Sequence, residues 1–179
     1  MKGVVFTEFL EMVEDKFGFD IADKIINNAD LPSGGVYTAV GTYDHNEMAQ
    51  LVTNLSGESG LSIPQLLNAY GNHLFARFAS GYGQFFDGVT DGFIFLEQIE
   101  GYIHVEVRKL YPDAELPSFE TKRIDDNTLE MIYTSERRMG DFAEGLIEGC
   151  ATHFKETYDI SKENMEDSGK VVRFTISRS

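Results

Sequence analysis

The clearest pattern in this sequence runs from Gly92 to Leu110 and reads GFIFLEQIEGYIHVEVRKL. Apolar residues recur in it at spacings of three and four, which is the period of a helix with one buried face. His104 lies beside this apolar stripe, about 100° around the helix axis from Ile103. The pattern predicts a helix over 92–110 that carries an imidazole at the edge of its buried face. The stripe consists of Phe93, Leu96, Ile99, Ile103, Val107 and Leu110.

A second informative stretch, YTSER at 133–137, follows about thirty residues later. If this stretch is extended, Tyr133, Ser135 and Arg137 project from the same side, because side chains alternate along a strand. Such a row spans roughly 13 Å, and its guanidinium can hold a carboxylate through two charge-assisted hydrogen bonds. A flat ligand with two carboxylates and a central atom that takes an imidazole would suit both elements. Haem is such a ligand.

Each pattern alone also has an ordinary structural explanation. A lone histidine beside an apolar stripe is commonly a hydrogen-bonded core residue, and alternating polar residues at the end of a strand commonly form a solvated face. The ordered pair is more specific: His104 in an amphipathic helix, followed by Tyr-x-Ser-x-Arg, resembles the haem nitric oxide/oxygen-binding (H-NOX) family. That family includes the sensor domain of soluble guanylate cyclase and small stand-alone bacterial sensors, and the resemblance extends from Met1 to Gly149.

The resemblance implies a haem group buried between the two halves of the chain. It implies that His104 is the protein ligand to iron, that Tyr133, Ser135 and Arg137 bind the propionates, and that Pro117 presses on the macrocycle from the His104 side. On the opposite, gas-binding side the matching residues are Val5, Phe9, Leu74, Phe78, Phe142 and Leu146.

On the gas-binding side, this sequence differs from the family members that bind oxygen stably. Members that hold oxygen stably have a tyrosine at the position matching Phe142, with polar residues at the positions matching Phe9 and Leu74. All three residues are apolar here. The polarity of the gas-binding, or distal, side is one of the properties that decide whether a haem protein binds oxygen. The resemblance therefore implies selection of nitric oxide. An oxygen sensor or general gas sensor is the alternative, with Tyr70, His73 or Tyr82 as the hydrogen-bond donor.

The same resemblance implies how a signal leaves the site. Nitric oxide weakens or breaks the iron–His104 bond, and the His104 helix then shifts as a two-state element. The sequence has no kinase, cyclase or phosphodiesterase signature, so we expect a sensor without catalytic turnover that acts on a separate protein. In bacterial relatives this partner is typically a sensor histidine kinase or a cyclic-di-GMP enzyme.

Composition limits the remaining possibilities. The 179 residues fit one domain, 1–179, and 42% of them are hydrophobic, enough to enclose a core and a cofactor. The net charge of −15 repels phosphate backbones and anionic headgroups, so neither nucleic acid nor a membrane surface is an expected partner. An acidic amino terminus and the lack of a long apolar run indicate a cytoplasmic protein.

Cys150 is the single cysteine. The chain therefore has no internal disulfide and no Cys-x-x-Cys-His attachment site, which indicates haem b held noncovalently. Cys150 could act as a thiolate ligand, but buried cysteine is commonly just a small hydrophobe.

Periodicity predicts an α+β fold with a helical amino-terminal half and a carboxy-terminal half in which a small antiparallel sheet packs with helices. Capping boxes are predicted at Asp44 with Glu47 and at Ser62 with Gln65. The predicted helices cover 4–17, 20–28, 44–55, 62–79, 92–110 and 140–158, and the predicted strands cover 119–124, 128–134 and 171–177.

Two readings outside gas sensing stay open at this point. One is a small acid–base enzyme that uses His104, His73 or His153 with nearby carboxylates, although the chain has no Gly-x-Ser-x-Gly, phosphate-loop or His-Glu-x-x-His motif. The other is a structural adaptor, which would leave the row of Tyr133, Ser135 and Arg137 unexplained.

Overall fold

A computed structural model describes residues 1–178, and within them the chain forms seven α-helices and one four-stranded antiparallel sheet. The predicted α+β class is confirmed, with four helices filling the amino-terminal half. The helices are α1 (Gly3–Phe17), α2 (Phe19–Asn27), α3 (His45–Ser59), α4 (Ile63–Gly81), α5 (Gly92–Glu97), α6 (His104–Leu110) and α7 (Gly140–Phe154). The strands are β1 (Ser118–Asp125), β2 (Thr128–Thr134), β3 (Tyr158–Asn164) and β4 (Val171–Arg178).

The two predicted capping boxes have different outcomes. Ser62 and Gln65 form the complete reciprocal box that opens α4. Asp44 caps α3 by accepting a hydrogen bond from Asn46 N at 2.9 Å, but Glu47 does not reach back to it. Glu47 is instead buried and accepts hydrogen bonds from the hydroxyls of Ser33 and Tyr37. The prediction was therefore right for the cap at Asp44 and wrong for Glu47, whose side chain binds the preceding loop.

The predicted helix over 92–110 is not continuous. α5 ends at Glu97, the segment Ile99–Ile103 forms a π-helical turn, and α6 begins at His104. Ile103 N and His104 N donate to carbonyls five residues back, those of Gln98 and Ile99. Insertions of this kind occur mostly as single π turns within helices and are frequent at functional sites.

The sheet has the strand order β1-β2-β4-β3, and every neighbouring pair is antiparallel. The sequence pattern missed the edge strand β3 and wrongly extended the preceding helix to Tyr158. α7 ends at Phe154 because Lys155 takes a left-handed conformation with φ 58°. β3 is mostly exposed and polar, so it lacks the apolar alternation that signals a strand.

Two glycines bring α4 and α7 into close contact. A Cβ atom at Gly71 would lie 2.2 Å from the Phe142 carbonyl oxygen, and one at Gly145 would lie 2.0 Å from the Asn68 carbonyl oxygen. These two helices join a core cluster built by α1–α4 to a second cluster built by α5, α7 and the sheet. The candidate site lies between the two clusters.

Candidate functional site

A cavity of about 280 Å³ separates the two core clusters, and its walls are almost entirely apolar. Of the eleven residues that the family resemblance assigns to a haem site, all except Phe9 line it. From the His104 side these are His104, Pro117, Tyr133, Ser135 and Arg137, and from α1, α4 and α7 they are Val5, Leu74, Phe78, Phe142 and Leu146.

His104 is the first residue of α6, and its side chain is 12% exposed. Its Nδ1 atom lies 3.1 Å from Oε2 of Glu100, so Nε2 is the nitrogen available to a metal. Burial lowers the pKa of His104, against the opposing effect of the Glu100 carboxylate. Since the ordinary histidine pKa is near 6.5, the imidazole is neutral at pH 7, which is the form that binds metals.

The Tyr133–Arg137 row is built differently from the predicted extended row. β2 ends at Thr134, and the chain then turns, with Arg138 in a left-handed conformation at φ 55°. The Ser135 hydroxyl accepts from Arg137 N at 3.2 Å, and the Tyr133 hydroxyl accepts from the backbone N–H of Met139 at 3.1 Å. The three side chains reach the same cavity through this turn and not through strand alternation.

Arg137 has a partner that the sequence did not suggest. Its Nη1 donates to the Glu115 carbonyl oxygen at 2.6 Å, and its Nη2 donates to Glu115 Oε2 at 3.0 Å. The Arg137 side chain is 13% exposed, whereas that of Glu115 is 85% exposed. A carboxylate in such an exposed position can be displaced from the guanidinium by a ligand carboxylate at modest cost, because exposed ion pairs contribute little free energy.

Phe9 is buried but does not line the cavity. Its ring packs edge-on against Tyr70 at 5.2 Å, and the Tyr70 ring lies 5.1 Å from that of Phe142. The Tyr70 hydroxyl donates to the Val5 carbonyl oxygen, and the residue is fully buried. Tyr70 therefore uses its donor within the core.

Among the three alternative donors, Tyr82 is the one that lines the cavity in the described part of the chain. Its pKa is raised by burial and by a hydrogen bond with Tyr111. His73 lies outside the lining; its Nε2 atom is buried and has no hydrogen-bond partner within residues 1–178. Burial lowers the pKa of His73.

Cys150 and His153 also lie away from the cavity lining. Cys150 is buried, its Sγ lies 3.7 Å from the Gly92 carbonyl oxygen, and burial raises the pKa of its thiol. His153 is exposed and packs on the Phe86 ring, with 4.5 Å between ring centroids. Neither position suits an axial ligand for a group bound in the cavity.

Sequence reasoning missed two acidic residues of the site. Glu100 precedes His104 by four residues, a spacing that brings side chains together on a helix and could have revealed it. Burial alone would raise the pKa of Glu100, but hydrogen bonds from Phe119 N and His104 hold it below its usual value. Glu115 lies in the irregular loop between α6 and β1, where no periodic signal exists.

These features together define the class of ligand. The cavity offers apolar walls, a neutral imidazole on one side and a guanidinium at its edge, with hydroxyls of Tyr133 and Ser135 nearby. This donor set fits a flat apolar ring system that carries a metal at its centre and carboxylates on its rim. The site is thus that of a haem-binding protein.

Comparison with known proteins gives the family. A model of the family described as Haem-NO-binding matches residues 2–162, and the chain belongs to this family. Its members bind haem, and the domain is a haem-based gas-sensor fold that is not catalytic on its own.

Solved structures agree over the whole chain. The unliganded Fe(II) H-NOX protein from K. algicida is 45% identical, with a TM-score of 0.95 and coverage of 100% of this chain and 97% of that one. The H-NOX protein from S. oneidensis in the Fe(II)NO ligation state is 27% identical, with a TM-score of 0.92 and coverage of 100% and 99%.

A curated relative is much longer than this chain. Soluble guanylate cyclase 89Da from Drosophila melanogaster is 29% identical over an alignment 172 residues long, which covers 92% of this chain and 25% of the relative. The chain therefore spans a quarter of the length of that protein. Among the residues described, no helix combines the length and the apolar character needed to cross a membrane.

Proposed function

We propose that this protein senses nitric oxide at a ferrous haem b and signals to a separate partner protein. The observation that carries the proposal is the apolar part of the cavity lining that α1, α4 and α7 contribute through Val5, Leu74, Phe78, Phe142 and Leu146, residues that the family resemblance assigns to the gas-binding side. Bound oxygen gains charge and depends on a hydrogen-bond donor, whereas nitric oxide binds ferrous iron tightly without one. An apolar wall therefore favours nitric oxide, because distal polarity decides between these outcomes.

Within this proposal, four polar residues of the cavity bind different parts of the haem. His104 supplies the protein ligand through Nε2, while Arg137, with Tyr133 and Ser135, binds the propionates. Pro117 lies in the lining directly before β1 and contacts the ring from the His104 side. Noncovalent attachment is supported by the position of the single cysteine, Cys150, away from the cavity.

The proposed signal output depends on the position of His104 at the junction between the π turn and α6. Ferrous haem supplies the centre at which nitric oxide binds. If bound nitric oxide weakened the hold of His104 on the haem, α6 would become able to shift against β1. The π turn Ile99–Ile103 lies directly before α6 and supplies the point at which the helix direction can change without disturbing α5.

The partner is proposed to be a sensor histidine kinase or a cyclic-di-GMP enzyme in the cytoplasm. The match to one quarter of a guanylate cyclase supports a sensor that works with an output unit. The net charge of −15 disfavours nucleic acid and membrane surfaces as partners. We propose that residues 1–179 act as one sensor domain in this system.

Absorption spectroscopy of the purified, haem-loaded protein tests the proposal. The reduced protein should show a strong Soret band that changes on addition of nitric oxide and stays unchanged on brief exposure to air. A protein that takes up no haem would overturn the proposal.

Oxygen sensing is the second candidate, because the Tyr82 phenol lines the cavity. Burial, and next to it the neighbouring Tyr111 side chain, raise the pKa of this phenol. A long-lived oxygen spectrum in air that disappears in Tyr82→Phe would establish this candidate in place of nitric oxide sensing.

Replacing Arg137 with Ala should sharply weaken haem retention. The substitution leaves propionates without their cation in a largely apolar site, and removing one partner of a buried ion pair costs about 3–5 kcal/mol. The rate of haem transfer to excess apomyoglobin measures the effect.

Glu115→Ala is the matched control, since it removes the other half of the same ion pair and leaves the guanidinium in place. It should retain haem at least as well as the unmodified protein. Equal haem transfer rates in Arg137→Ala and the unmodified protein would place the propionates elsewhere.

A further inference from the structure

The carboxylate of Glu100 is held in a defined position beside His104. Its Oε2 atom lies 3.1 Å from His104 Nδ1 and also accepts a hydrogen bond from Phe119 N at 3.1 Å. Its Oε1 atom lies 3.5 Å from Nη2 of Arg108. The Glu100 side chain therefore links the π turn to α6 and to the start of β1.

The contact with His104 selects one form of the imidazole. A neutral histidine carries a proton on one nitrogen and a lone pair on the other. The carboxylate beside Nδ1 can only accept, so the proton is placed on Nδ1 and the lone pair on Nε2. Carboxylate partners of this kind fix the orientation of metal-binding histidines and raise their basicity as ligands.

We propose that Glu100 is the positioning residue for His104 and sets the strength of the iron–His104 bond. This inference rests on the proposed haem function. Glu100 strengthens the bond that nitric oxide must weaken, and it thereby sets the fraction of protein in which His104 is released. Since Glu100 also accepts from Phe119 N, release of His104 leaves the π turn still attached to β1 through the same carboxylate.

The backbone explains why this pairing occurs at this point in the helix. Glu100 lies within the π turn Ile99–Ile103, and His104 opens α6. Their side chains meet at a separation of four residues across the junction. The π turn thus places the ligand and its positioning residue on the same side while directing the His104 ring towards the cavity lining.

The substitution Glu100→Leu tests the proposal in the haem-loaded protein. The iron–histidine stretching frequency, measured by resonance Raman spectroscopy on the reduced protein, should fall because Nε2 becomes a weaker donor. Loss of such a partner typically lowers metal affinity about 10- to 100-fold, so haem transfer to apomyoglobin should accelerate by up to a similar factor. After addition of nitric oxide, a larger fraction of the protein should have released His104.

Glu100→Gln is the conservative variant and keeps the shape and an acceptor oxygen. It should give a frequency between those of Glu100→Leu and the unmodified protein. Glu106→Gln is the matched control, because Glu106 is an acidic residue of α6 that pairs with Lys109; this variant should behave as the unmodified protein.

The possible outcomes distinguish the positioning role of Glu100 from the proposed nitric oxide sensing. Unchanged frequency and haem transfer in both Glu100 variants would overturn the positioning role while leaving nitric oxide sensing intact. If Glu100→Leu does not fold, Glu100→Gln decides the question by the same two measurements. Unmodified protein that lacks an iron–histidine band would instead overturn the proposed function itself.

Discussion

Replacing His104 with Gly is expected to abolish stable haem binding, and free imidazole should restore it. His104 is the histidine that lines the cavity in the described residues, and removing its side chain deletes the proposed axial ligand while leaving the apolar walls intact. Small imidazole can enter the space and supply the missing nitrogen. Absorbance at the Soret maximum, with and without imidazole, measures the effect.

His153→Gly provides the matched control for this experiment. His153 is an exposed histidine away from the cavity, so its loss should leave the spectrum unchanged. A normal histidine-ligated spectrum in His104→Gly without imidazole would assign the ligand to another residue and move the centre of the site.

The capped helices of the amino-terminal half were predictable because their signals are local. Ser62 and Gln65 lie three residues apart and satisfy each other, so the sequence alone contains the whole interaction. Glu47 shows the limit of this reasoning: it occupies the same position relative to Asp44, yet its side chain accepts hydrogen bonds from Ser33 and Tyr37 of the preceding loop. Tertiary contacts overrode a local pattern.

The π turn before His104 could not be read from periodicity. One inserted residue shifts the helical phase by about 100°, and the apolar stripe continues on both sides of the insertion. Phe93 and Leu96 are buried, whereas Leu110 is exposed. The stripe therefore predicted a helix and its buried first half correctly, but neither the break nor the exposed end.

The prediction that Tyr133, Ser135 and Arg137 lie together rested only partly on physical reasoning. Strand alternation suggested that Tyr133, Ser135 and Arg137 share a face, and they do share a cavity, but a turn after Thr134 brings them together. The role predicted for them came from the family resemblance. The contact between Glu115 and Arg137 could not be predicted from the sequence, because it joins an irregular loop to a turn 22 residues later.

Introducing a phenol at position 142, on the proposed gas-binding side, is expected to convert the site partly towards oxygen binding. Phe142 lines the cavity and packs against Tyr70, so Phe142→Tyr adds a hydroxyl to a wall that already accommodates the ring. A hydrogen bond to a charged acceptor contributes about 1.5–3 kcal/mol, which corresponds to a roughly 10- to 100-fold gain in oxygen affinity. Stopped-flow measurement of oxygen dissociation from the reduced protein gives the size of the effect.

The position of the phenol, and not its mere presence, should decide the result. Phe119 lines the same cavity but lies beside His104, with 5.9 Å between ring centroids, so Phe119→Tyr should leave oxygen dissociation fast. Because Leu74 lines the cavity and Phe9 does not, polar support in Phe142→Tyr should come from Leu74→Asn more effectively than from Phe9→Asn. If the unmodified protein already holds oxygen for minutes in air, the apolar wall does not govern selectivity, and the Tyr82 phenol becomes the donor to test.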